Sequence, residues 1–177
     1  TYRCDLRITD VKKSHYLFFE GAAQAAVIKV NGEQVASHKG GYTPFSVDIT
    51  EAVEKGVNRV EVICDNSEDL EMAPVTSDFN KNGGLHNPVW LLVMDDVYFS
   101  PEDYGMYRLR CETPVVTKKK VVTNVKTKII NSSNRDANIL VRVQLLEADG
   151  RLGYQADREV PVGAFSEYDF DHEFILS

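Results

Sequence analysis

The sequence predicts an all-β protein built from two successive β-sandwiches, on three observations. Short runs rich in β-branched and aromatic residues recur along the whole chain, each bounded by clusters of Gly, Asn, Asp and Pro. Several of these runs alternate apolar and polar residues with the period of two that a half-buried strand requires. Nowhere do strand patterns alternate with helical ones, as an α/β barrel would demand. At 177 residues the chain accommodates two small domains, because one core serves about 100 to 200 residues.

Taken in order, residues 16–19, Tyr-Leu-Phe-Phe, read as a strand buried on both faces, and Ala25–Val30 as the next strand. Asn31-Gly32 follows directly. That pair tolerates positive φ at both central positions of a type I′ turn, so Glu33-Gln34-Val35 is expected to fold back as a hairpin partner. After a polar turn at residues 38–41, residues 45–49 are apolar at odd positions and polar at even ones, giving one buried and one wet face. Thr50 is placed to cap a single helical turn through Glu54, with Gly56 closing it in the left-handed conformation. Residues 58–63 resume strand alternation. Residues 65–88 have no periodicity and read as a long loop, a length that tends to be functional. Residues 89–94 are apolar throughout and read as a core strand. Residues 95–104, acidic and aromatic around Pro101, read as the connection to the second unit. There, strands are expected at 107–111, 121–130, 137–146 and 170–176, with turns at 131–134 and Asp149-Gly150, the spacing of an immunoglobulin-like sandwich. The domains are thus expected at 1–103 and 104–177, the second short of its last strand.

With 43% hydrophobic, 27% charged and 10% aromatic residues, the composition is that of a globular protein with a real core. A net charge of -7 opposes binding to phosphate backbones, so nucleic acid is not an expected partner. The one basic run, Lys118-Lys119-Lys120, reads as a solvated turn. No stretch approaches the roughly 20 apolar residues of a membrane helix, so no membrane partner is expected. Cys4, Cys64 and Cys111 are odd in number and far apart, which favours buried free thiols over disulfides or zinc. His15, His38, His86 and His172 lack metal-ligand spacing. No cofactor or metal is expected.

A more specific pattern lies in Phe19-Glu20-Gly21, Val30-Asn31-Gly32, residues 38–45 (His-Lys-Gly-Gly-Tyr-Thr-Pro-Phe), Asp48-Ile49-Thr50, Asn58-Arg59-Val60, and Gly83-Gly84-Leu85 leading into Val89-Trp90-Leu91. In that order the segments resemble the N-terminal sugar-binding domain of glycoside hydrolase family 2, in its β-galactosidase branch. The second unit is similar to that family's immunoglobulin-like domain. The resemblance implies a jelly-roll (galactose-binding-like) sandwich, then the immunoglobulin-like sandwich, then a catalytic (β/α)8 barrel that works by a retaining mechanism and is absent from this sequence. It implies further strands ahead of Tyr2-Arg3, a periplasmic or secreted parent enzyme, and a homo-oligomer of the whole.

The resemblance also assigns a site. In the family, the loop before the Gly-Gly pair reaches over the barrel mouth, and an aspartate on it contacts the sugar; the matching residue is Asp78. A carboxylate suits that task because it accepts hydrogen bonds from two adjacent hydroxyls; the residue type alone fits an Asx-turn equally. Asn80, Asn82 and His86 complete the candidate substrate-binding set, each with a turn or surface role as its alternative. Where the family shows an aromatic-Arg-Asp after the Gly-Gly pair, this chain reads Leu85-His86-Asn87-Pro88, which removes an ion pair that would brace the loop. Tyr42 and Phe45 offer a sugar-stacking face or, more simply, packing. Asn131-Ser132-Ser133 fits a glycosylation sequon and a turn, of which the turn is favoured.

Glu68 with Asp69 and Asp169 with Asp171 adjoin along the chain, whereas a glycosidase pair flanks a bond at about 5 to 9.5 Å. No catalytic residue is therefore assigned. Three functions compete: a non-catalytic region of a retaining glycosidase that shapes the active-site rim and supports the barrel, a free-standing carbohydrate-binding module, and a ligand-free spacer.

Overall fold

The computed structural model describes residues 1–67, 82–102 and 109–176. Thirteen strands lie among them: β1 (Tyr2–Ile8), β2 (His15–Phe19), β3 (Ala25–Val30), β4 (Glu33–Lys39), β5 (Phe45–Asp48), β6 (Gly56–Asp65), β7 (Val89–Val93), β8 (Val97–Phe99), β9 (Arg110–Val116), β10 (Val121–Asn131), β11 (Ala137–Leu146), β12 (Leu152–Val162) and β13 (Ser166–Leu176). A single 3₁₀ turn, Thr50–Ala52, joins β5 to β6. Two compact units divide after Asp95, and the fold is all-β as the sequence predicts.

In the first unit a four-stranded sheet of order β1-β6-β3-β4 packs on a three-stranded sheet of order β5-β2-β7. The core takes Ile8 from β1, Leu17 and Phe19 from β2, Ile28 and Val30 from β3, Val47 from β5, and Val60 and Val62 from β6. These are alternate residues on each strand, and each such burial contributes about 1.5–3 kcal/mol. The β3–β4 hairpin turns through Asn31 (φ 53) and Gly32 (φ 93), both positive as a type I′ turn needs.

Two local expectations for this unit are corrected. Thr50 does not cap the turn: Ile49 occupies the cap position with no side-chain bond, and Thr50 Oγ1 instead accepts the His15 N–H at 3.0 Å. The turn stops at Ala52 because Val53 is extended and enters the core. Gly56 has φ 116 but opens β6 rather than closing a helix. The run 89–94 is also not a core strand: among the described residues β7 lies at a sheet edge with only β2 as partner. Leu91 packs on the core, while Trp90 is 52% and Val93 50% exposed.

The second unit pairs β13, β10 and β8, with β9 also on β10, and sets the two-stranded sheet β11-β12 against them. Its core is Ile129, Val141, Val160, Val162 and Phe170. The stretch expected as a connection contains β8, which pairs with residues 129–131 of β10. Strand β12 was not predicted, because Gly153, Arg158 and Pro161 break its apolar alternation. Arg158 nevertheless fits, its guanidinium lying 5.5 Å over the Phe170 ring, where a cation is attracted by the π face. Asn131 is fully buried; its Nδ2 donates to Arg135 O at 2.8 Å, Gly163 O at 3.0 Å and Val162 O at 3.1 Å. The amide is thus occupied in holding the turn, the role favoured from the sequence. Cys4 and Cys111 are exposed and Cys64 is half-buried, so the expectation of three buried thiols is also corrected.

Candidate functional site

Several of the motif segments meet at one stretch, Gly21-Ala22-Ala23-Gln24, which links β2 to β3 and is buried throughout. Gly40 N donates to Gln24 O at 2.8 Å, and Gln24 N donates to Asp65 O at 3.0 Å. Ala23 and Gly84 exchange backbone bonds, Ala23 N to Gly84 O at 3.0 Å and Gly84 N to Ala23 O at 2.8 Å. Small residues make this convergence possible. A Cβ at Gly41 would lie 3.0 Å from the Ala23 Cβ, and Gly84 has φ +110, a region costly for any residue with a side chain.

The consequence concerns the segment 65–88. Its first residue is hydrogen-bonded to Gln24 and its Gly84 to Ala23, so both ends are pinned at neighbouring residues of one edge of the sandwich. At the leading end the Asp65 carboxylate accepts the Ser67 N–H at 2.9 Å, and this bond holds its pKa below the usual carboxylate range. At the trailing end His86 Nε2 lies 2.8 Å from Asn82 O; a carbonyl only accepts, so the imidazole donates. Asn82 and His86, both exposed, are thus brought together through the Asn82 backbone. Asp78 and Asn80 lie outside the described residues.

The neighbouring turn at 40–43 is held by His38. Its ring stacks on Phe45 at 3.8 Å, and its Nε2 lies 3.0 Å from Gly40 O. Burial lowers the His38 pKa from its ordinary value, opposed by the bond to Gly40. Phe45 also stacks on Phe19 at 4.6 Å, so its role is packing, whereas Tyr42 is 69% exposed. Gln24 Nε2 is buried with no acceptor among the described residues. Among the described residues no three His, Cys, Asp or Glu side chains converge as a metal site.

A pair that the sequence did not single out stands beside this hub. Trp90 Nε1 donates to Glu20 Oε1 at 2.8 Å, and Asn87 Nδ2 donates to Glu20 O at 3.3 Å. Parity was the available signal, because Leu91 facing the core puts Trp90 on the opposite, outer face of β7.

The fold is thus a β-sandwich that holds both ends of a long segment, followed in sequence by a second β-sandwich. Residues 2–95 match the sugar binding domain of glycosyl hydrolases family 2, and the chain belongs to that family. It is 34% identical over 139 residues to a beta-glucuronidase of Bacteroides fragilis, covering 78% of this chain and 20% of that protein. It is 35% identical over 130 residues to a beta-galactosidase of Thermoanaerobacter pseudethanolicus, covering 67% of this chain and 18% of that one. The crystal structure of a Bacteroides uniformis beta-glucuronidase matches 97% of this chain and 21% of its own, with a TM-score of 0.86 and 26% identity. The chain therefore spans about a fifth of the length of these relatives.

Proposed function

We propose that the chain is the non-catalytic N-terminal region of a glycosidase that hydrolyses O-glycosidic bonds in carbohydrates with retention, and that it shapes the active-site rim and supports a catalytic barrel carried elsewhere in the same protein. The observation that carries this reading is the double anchorage of the segment 65–88, through Asp65 on Gln24 and Gly84 on Ala23. A segment fixed at both ends by backbone bonds is suited to present polar side chains at a constant place, which transition-state stabilisation requires. The match of residues 2–95 to the sugar binding domain supports the substrate class. Asp78 is the residue proposed to accept hydrogen bonds from substrate hydroxyls, with Asn80, Asn82 and His86 around it.

The test is made in the longer enzyme that carries this chain. Asp78→Ala is expected to lower kcat/KM by about a hundredfold, the scale of losing one charge-stabilising contact, with the unfolding midpoint unchanged. Wild-type kcat/KM in that variant would overturn the proposal.

A further inference from the structure

We infer that the outer face of β7 carries a binding subsite for a neutral pyranoside, formed by Trp90, Glu20 and Asn87 and separate from the proposed contact of Asp78. The register of the edge pair sets Trp90 directly opposite Phe18. Their neighbours Leu17, Phe19 and Leu91 point into the core, so Phe18 and Trp90 lie on the outer face, where Trp90 is 52% exposed. The Glu20 carboxylate takes the indole N–H at 2.8 Å, a bond in the plane of the ring that fixes its orientation. Among the described residues the second oxygen, Oε2, accepts no bond, and the exposed Asn87 amide is tied to Glu20 O at 3.3 Å.

These groups have the complementarity of a sugar and not of a protein surface. A pyranose presents a face of C–H bonds and a rim of hydroxyls. The C–H hydrogens carry the positive charge that the negative π face of an indole attracts, and the hydroxyls donate to a carboxylate oxygen. A specific protein partner would need about 800 Å² on each side, far more than one indole flanked by polar groups. The carboxylate also sets selectivity, since it repels the anionic carboxylate of a uronate while accepting hydroxyls from an uncharged ring. A galactopyranoside, whose axial O4 leaves the hydrogens of C3, C4 and C5 on one face, is the best-matched probe.

Trp90 is the only tryptophan in the chain, so its emission reports on this subsite alone. Methyl β-galactopyranoside titrated into the 177-residue chain is expected to change that emission saturably, at millimolar concentrations, and methyl β-glucuronide about tenfold more weakly. Glu20→Gln keeps an oxygen to accept the indole N–H and removes the charge; it is expected to keep the galactoside response and bring the two sugars within about twofold, with an unchanged circular dichroism spectrum. Four results would each overturn the inference: emission indifferent to the galactoside, equal response to the glucuronide, selectivity retained in the Glu20→Gln variant, or an emission shift with protein concentration in the absence of sugar, which would mean a second copy covers the indole.

Discussion

Replacing Gly84 by alanine tests the anchorage of the segment 65–88 at its trailing end. Gly84 has φ +110, and holding a residue with a Cβ at such an angle costs about 1–3 kcal/mol. It also exchanges two backbone bonds with Ala23; relaxing the strain would sacrifice them at about 0.5–1.5 kcal/mol each. The new methyl would meet the Tyr2 hydroxyl, but Tyr2 is 45% exposed and can swing aside, so that contact adds little. Each route costs about the same, so the expected loss is about 1–3 kcal/mol. Urea unfolding followed by Trp90 emission isolates the first unit, and at a slope of about 2 kcal/mol per molar its midpoint should fall by about 0.5–1.5 M. Combining Gly84→Ala with Tyr2→Phe separates the two causes, because removing the hydroxyl relieves the contact and leaves the backbone strain. A loss below about 0.5 kcal/mol, or full recovery on adding Tyr2→Phe, would show that neither the backbone angle nor the bridge to Ala23 holds the segment.

Further outcomes follow from buried groups. Asn58 is fully buried; its Nδ2 donates to Glu54 O at 2.7 Å and Gly56 O at 3.3 Å, and its Oδ1 accepts from Glu54 N at 2.8 Å and Asn31 Nδ2 at 2.9 Å. Asn58→Ala leaves these groups unpaired and should cost about 2–4 kcal/mol in chemical denaturation; a loss under 1 kcal/mol would refute the network's role. For His38 the folded pKa is lowered, so stability is complete above the ordinary value of about 6.5 and declines as pH falls toward the folded value. Urea midpoints between about pH 7.5 and 5.5 should fall on acidification, and His38→Gln should flatten that slope; a wild-type midpoint that rises on acidification contradicts the assignment. Thiol titration of the native chain should show two fast groups, Cys4 and Cys111, and one slow group, Cys64, whose thiol pKa is raised by burial; three equal rates would contradict it.

Much of the fold was legible because it follows from short-range rules. The Asn31-Gly32 hairpin and the alternation of β5 and β6 needed only turn chemistry and a period of two. What failed depended on partners distant in sequence. Thr50 reads as a helix cap until the His15 N–H claims its hydroxyl, and the apolar run around Trp90 reads as core until the sheet order places it at an edge. Strand β12 is invisible because Gly153, Arg158 and Pro161 interrupt its alternation, and Arg158 is held by β13, through the Phe170 ring, the Tyr168 hydroxyl and the Asp171 carbonyl. The candidate site divides in the same way. Glycine pairs at 40–41 and 83–84 stand out in the sequence as a polar turn and as parts of the family pattern, but nothing local says that both converge on Ala23 and Gln24. Asn82 and His86 were picked for their side chains, and they meet instead through a backbone carbonyl.

A crystal structure of the longer enzyme with a glycoside bound addresses the proposed role of residues 65–88 most directly. The Asp78 carboxylate is expected to accept a sugar hydroxyl at about 2.5–2.7 Å, from a segment still bonded to Ala23 and Gln24 at its base. Density showing that segment folded back into its own sandwich, with the Asp78 carboxylate shut away from the sugar, would contradict the account.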